Sequence, residues 1–127
     1  MAAASFDFEE LLVYQKALDF VAVVYKATKR LPADERFGLS SQFQRAATGI
    51  CLNIAEGSGG TKTEFRHYVR IAVRSVRECV AIAEVATKVD YFNRKQREYL
   101  RGHLAELARM LTGLHKSLSA RKRKENG

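Results

Sequence analysis

The stretch Gly38–Gly60, GLSSQFQRAATGICLNIAEGSGG, decides how this chain folds. Phe43, Ala46, Ala47, Ile50 and Ile54 recur at three- and four-residue spacing, so Leu39 to about Glu56 reads as a helix with one apolar face. Gly57 suits a left-handed C-terminal cap, and Ser58-Gly59-Gly60 supplies a turn. Thr61-Lys62-Thr63-Glu64 then has the form of a capping box, in which Thr61 caps a new helix and Glu64 reaches back. Periodicity does not require the run Asn53-Ile54-Ala55-Glu56-Gly57-Ser58. Asn53 and Glu56 stand one turn apart near a helix end, where polar side chains serve unpaired backbone groups, so a structural role is favoured over an active-site pair. Arg45 is a charge on an otherwise apolar helix and is expected to pair with a carboxylate across the fold.

Outward from this segment the chain is helical. A first helix is predicted from about Glu9 to Leu31, with Leu11, Tyr14, Leu18, Val21 and Tyr25 as its seam. Pro32 stops it, because the residue before a proline is pushed out of the helical region. The third helix runs from the capping box to about Lys88. Asn93 with Gln96 three residues later marks the fourth start. Leu100, Leu104, Leu107, Leu111, Leu114 and Leu118 follow at 4-3-4-3-4 spacing, the seam that packing inside a bundle requires. No strand alternation occurs. The fold class predicted is all-α, an antiparallel up-down four-helix bundle spanning residues 1–120 as a single domain. Residues 121–127, RKRKENG, carry no apolar side chain and are expected to form a mobile basic tail.

Length and composition set limits. A chain of 127 residues is one domain by size and buries roughly 65–70% of its unfolded surface. No apolar run approaches the ~18 residues of a spanning helix, and MAAASFDFEE lacks the pattern of a secretory signal. Cys51 and Cys79 have no metal-ligand spacing, which favours two buried thiols in a reducing cytoplasm. Charge is lopsided. Residues 1–60 hold six Lys/Arg against seven Asp/Glu, a net of −1, whereas residues 61–127 hold sixteen against seven, a net of +9. A basic half points to a polyanionic partner, with nucleic acid ahead of membrane.

The third helix carries that charge on one side. Phe65, Val69, Ala72, Val76, Val80 and Ala83 fall within about 80° and form a core face. Ile71, Ile82 and Val85 lie on a separate flank, which a second subunit or a broad core would bury. Arg66, Arg70, Arg74 and Arg77, spaced 4, 4 and 3, fall within about 80° of arc on the remaining side. Arginine forks match phosphate oxygens, and a helical row can track a backbone. Arg94, Arg97 and Arg101 form a second stripe on the fourth helix, and Arg121, Lys122, Arg123 and Lys124 extend the charge into the tail. Aromatic interleaving is thin, so binding is expected to be backbone-directed, salt-dependent and weakly sequence-selective.

Three apparent motifs dissolve on inspection. Gly57 to Thr63 lacks the Gly directly before Lys, and the preceding strand, that a phosphate loop needs. Arg97-x5-His103 and Arg109-x5-His115 echo a ribonuclease motif, yet residues six apart on one helix point about 120° away from each other, so they meet one phosphate only across a subunit interface or at a helix break. His67, His103 and His115 have no metal-ligand spacing, so neither a cofactor nor a metal is expected.

The residues Gly38-Leu39, Gln42, Arg45-Ala46-Ala47 and Asn53 to Ser58 carry a resemblance. With Val13-Tyr14-Gln15-Lys16-Ala17, Glu64-Phe65 and Ala72 to Glu78, they are similar to the four-helix-bundle family encoded by intervening sequences inside bacterial 23S rRNA genes. Tyr14 stands where that family usually has Trp, and Arg74 where Gly is usual. The resemblance covers roughly residues 6 to 118. It makes Gln42, Arg45, Asn53, Glu56 and Gly57 a structural motif and implies a ring-shaped homopentamer. Some relatives resemble accessory proteins of diversity-generating retroelements, which implies a reverse transcriptase as a further partner. The function expected is non-catalytic nucleic-acid binding, RNA ahead of DNA, by a cytoplasmic oligomer. The alternative is an adaptor whose basic face binds an acidic protein.

Overall fold

The computed structural model describes residues 4–126, with side chains to residue 119. A 3-10 turn, Asp7–Glu10, precedes α1 (Leu12–Thr28). A second turn, Ala33–Glu35, leads to α2 (Leu39–Ser58), α3 (Lys62–Lys88) and α4 (Arg94–Asn126). No strand occurs among the described residues. α1 packs on α2, α2 on α3 and α3 on α4, and a lighter contact of α1 with α4 closes the circuit.

Local chemistry sets the helix boundaries. The Glu64 amide donates to Thr61 Oγ1 at 3.1 Å and the Thr61 amide to Glu64 Oε1 at 2.8 Å, the reciprocal box expected. Asn93 and Gln96 repeat it on α4, at 2.9 and 2.8 Å. Glu35 serves two elements: Oε1 accepts from the Leu39 amide at 3.1 Å, and Oε2 accepts from Tyr91 Oη at 2.9 Å. One carboxylate thus caps α2 and ties the α1–α2 loop to the α3–α4 turn. In that turn Asp90 adopts φ 66°, the one positive φ among the described residues.

Gly57 departs from expectation. It lies within α2, buried, and is not a left-handed cap. A Cβ placed on it would stand 2.5 Å from Tyr68 Cβ. Its role is to let α3 approach α2.

Phe20, Phe43, Ile50, Ile54, Leu100, Leu104, Leu107 and Leu111 are the largest fully buried side chains, each worth about 1.5–3 kcal/mol of burial. The leucine seam of α4 is confirmed, with Leu114 only partly buried. The seam of α1 is corrected. Val13, Ala17, Phe20, Val24 and Thr28 face inward, while Leu18 and Tyr25 remain 46% and 47% exposed. Two apolar stripes on α1 both have helical spacing, and the positions of α2 and α4 choose between them. α3 is corrected similarly: Ile82 is buried in the core, whereas Val80 is only partly buried. Its expected second flank therefore shrinks to half-buried Ile71 and exposed Val85.

Cys51 and Cys79 are free and buried, and burial pushes their thiols up to about 11 and about 12. Among the described residues no helix is long and apolar enough to cross a membrane.

Candidate nucleic-acid interface

Arg66, Arg70, Arg74 and Arg77 project from the side of α3 away from its buried stripe, Arg66 half-buried and the others exposed. Among the described residues none of the four forms an ion pair. Like charges at i and i+4 disfavour a helix by about 0.2–0.5 kcal/mol per pair, a cost that no ion pair among the described residues offsets.

The stripe on α4 has a different fate. Arg97 places Nε and Nη2 on the two oxygens of Glu84, at 2.5 and 2.9 Å. Arg101 Nη1 lies 3.5 Å from the same carboxylate. Arg94 pairs with Glu98 one turn on, at 3.1 Å. The Arg97 hydrogen bond, followed by the charges of Arg97 and Arg101, holds the Glu84 carboxyl below its usual range, and Glu84 in turn raises Arg97. These three arginines bind α4 to α3 or to itself. They do not extend the free positive face.

What α4 does bring to the α3 row comes from its later half. Arg70, Val73, Arg74, Thr112 and His115 line a shallow depression of about 290 Å³. Beyond Thr112, Ala108, Arg109, Gly113 and Lys116 border an adjoining hollow. Sequence spacing singles out neither Thr112 nor Lys116, and it offers Arg109 and His115 only as a ribonuclease-like pair. Nothing in the spacing along α4 signals this placement, because it depends on α4's register against α3.

The remaining candidates settle into structural roles. Asn53 Nδ2 donates to the Gly49 carbonyl at 2.7 Å, and Tyr68 Oη donates to Glu56 Oε1 at 3.3 Å. The charge of Glu56 is also the largest cause raising the Tyr68 phenol. Gln42 and Arg45 are exposed, and Arg45 has no ion pair among the described residues, contrary to expectation. It sits on the exposed side of α2. The ring of His103 packs against Phe20 and Tyr99, with centroids 6.0 and 4.8 Å apart, and does not meet Arg97. Among the described residues no group of three or more His, Cys, Asp or Glu could hold a metal ion. For Arg121, Lys122, Arg123 and Lys124 the backbone continues α4, and their side chains lie outside the described residues.

Fold and surface together define an all-α four-helix protein with an unneutralised arginine face. Residues 9–113 match the model of the 23S rRNA-intervening sequence protein family, and the chain belongs to that family. A solved structure, a protein of unknown function from the S23 ribosomal protein family of Bacteroides thetaiotaomicron, is similar at 25% identity and a TM-score of 0.74. The match covers 83% of this chain and 99% of that one. A search of curated proteins gives no match.

Proposed function

We propose that this protein is a non-catalytic, electrostatic nucleic-acid-binding protein that works as a cytoplasmic oligomer. One observation carries the reading: Arg66, Arg70, Arg74 and Arg77 share one face of α3 and have no carboxylate partner among the described residues. An arginine row kept for stability would be expected to find acids, as Arg94, Arg97 and Arg101 do. RNA is placed ahead of DNA on the family's name alone. Contact is with the phosphate backbone, so selectivity for sequence is weak. In the adaptor alternative, the same row meets acidic side chains of a protein.

The assembly proposed is an antiparallel up-down bundle in a ring-shaped homopentamer. Leu18 and Tyr25, about 20° apart around α1, support it by leaving apolar side chains that the monomer does not cover. Five copies multiply the formal charge of +8 to about +40.

Fluorescence anisotropy with labelled single-stranded RNA and duplex DNA at several salt concentrations tests the binding. If the four arginines each neutralise one phosphate, log K falls against log salt with a slope of about −3 for a single strand. Arg70→Glu with Arg74→Glu abolishes binding. Undiminished binding by that folded variant sinks the assignment, and no binding at low salt turns the reading toward an acidic protein partner.

A further inference from the structure

We infer that the depression between α3 and α4 is a phosphate seat, with Arg70 and Arg74 supplying charge from one wall and Thr112 and His115 supplying hydrogen-bond donors from the other. The inference rests on the nucleic-acid reading and narrows it to one place on the arginine row.

Several independent features meet there. Arg70 and Arg74 are one turn apart, exposed, and without an ion pair among the described residues. His115 lines the same depression, and its Nε2 is shut off from solvent with no hydrogen-bond partner in the described structure. An unpaired buried polar atom is a cost that folded proteins rarely leave standing, and turning the ring to bring an N–H into the depression, onto an anion there, would relieve it. Thr112 differs from Thr48 and Thr87, whose hydroxyls donate to carbonyls of their own helices at 2.7 and 2.8 Å. Thr112 makes no bond of that kind among the described residues, which leaves its hydroxyl to donate outward.

Between these residues half-buried Val73 adds an apolar side chain to the lining. Arg109 and Lys116 border the adjoining hollow and add positive potential around the rim. Donors supplied from two neighbouring helices suit a tetrahedral anion, whose oxygens point several ways, better than a planar carboxylate. The ligand class is therefore phosphate, either a phosphodiester of a strand or a free phosphate. Seating requires the His115 ring to turn so that a ring N–H meets a phosphate oxygen.

NMR of the isotopically labelled full chain tests the seat. The His115 ring resonances are followed at low salt during titration with inorganic phosphate and, separately, with a short single-stranded RNA. The seat predicts movement of His115 with the RNA; movement with inorganic phosphate as well marks a site open to free phosphate. Thr112→Val and His115→Phe, which remove no arginine charge, each weaken RNA affinity about tenfold with the salt slope unchanged. Arg66→Gln and Arg77→Gln lower the slope by about 0.7 each and leave the His115 response in place. A His115 ring unmoved by both titrants overturns the seat, as does full RNA affinity in folded Thr112→Val. In that event, binding still lost in the Arg70→Glu, Arg74→Glu variant leaves the arginine row standing. Binding retained there removes both.

Discussion

Gly57 and Tyr68 hold α2 and α3 closer than any side chain at position 57 permits: a Cβ on Gly57 would lie 2.5 Å from Tyr68 Cβ and 3.1 Å from Phe65 Cδ1. The obstructing atom is Cβ itself, fixed to the backbone of α3, so no rotamer change relieves it. Gly57→Ala is expected to destabilise the fold by about 1–3 kcal/mol despite alanine's better helix propensity. Urea unfolding followed by circular dichroism measures this. A stability gain would mean that the helices can separate freely at this end.

Gly102 and Gly113 give the opposite expectation. Both lie on the exposed side of α4, and a Cβ on either meets nothing within 4 Å. Glycine inside a helix costs roughly 0.5–1 kcal/mol relative to alanine, so each Gly→Ala change should stabilise by about that amount. Thermal melts of the two variants provide the check. A loss of stability in either would show that the position is crowded in the assembled protein.

Glu84 links folding to acid. Its folded pKa lies below the ordinary 4.5, first through the Arg97 hydrogen bond. A depressed carboxylate contributes stability that is fully present above the unfolded value and lost as pH falls through the folded one. Stability should therefore decline below about pH 4.5, and Glu84→Gln should flatten that decline while lowering stability at neutral pH. Glu64, also depressed by its bonds to Thr61, keeps a residual slope. Denaturant midpoints from pH 7 downward would expose a wrong assignment as two parallel curves.

Leu18 and Tyr25 test the assembly. They are 46% and 47% exposed on the one face of α1 that no helix covers. Leu18→Glu with Tyr25→Glu should leave helicity intact and shift the mass in native mass spectrometry from an oligomer to a monomer. An unchanged oligomer would move the interface elsewhere, and a monomeric parent protein would end the proposal.

How much of this was legible depended on whether the signal was local. The capping boxes at Thr61–Glu64 and Asn93–Gln96, the start of α2 and the leucine seam of α4 are all written in residues three or four apart. The helix period alone reads them. On α1, Leu11, Tyr14, Leu18, Val21 and Tyr25 are as regular as Val13, Ala17, Phe20 and Val24, so spacing does not select the inward stripe. Periodicity shows that an apolar stripe exists but does not say which stripe meets a neighbour.

Gly57 is ambiguous for the same reason: glycine serves equally for a left-handed turn and for close approach, and only the position of Tyr68 separates the two. The arginines show the division most sharply. Sequence alone determined that this protein is a helical chain with its positive charge along α3 and α4. Tertiary structure decided which arginines are spent on Glu84 and Glu98 and which remain unpaired, and it set Thr112 and His115 beside Arg70 and Arg74. A helix wheel records angles about one axis, whereas charge pairing depends on the register between two.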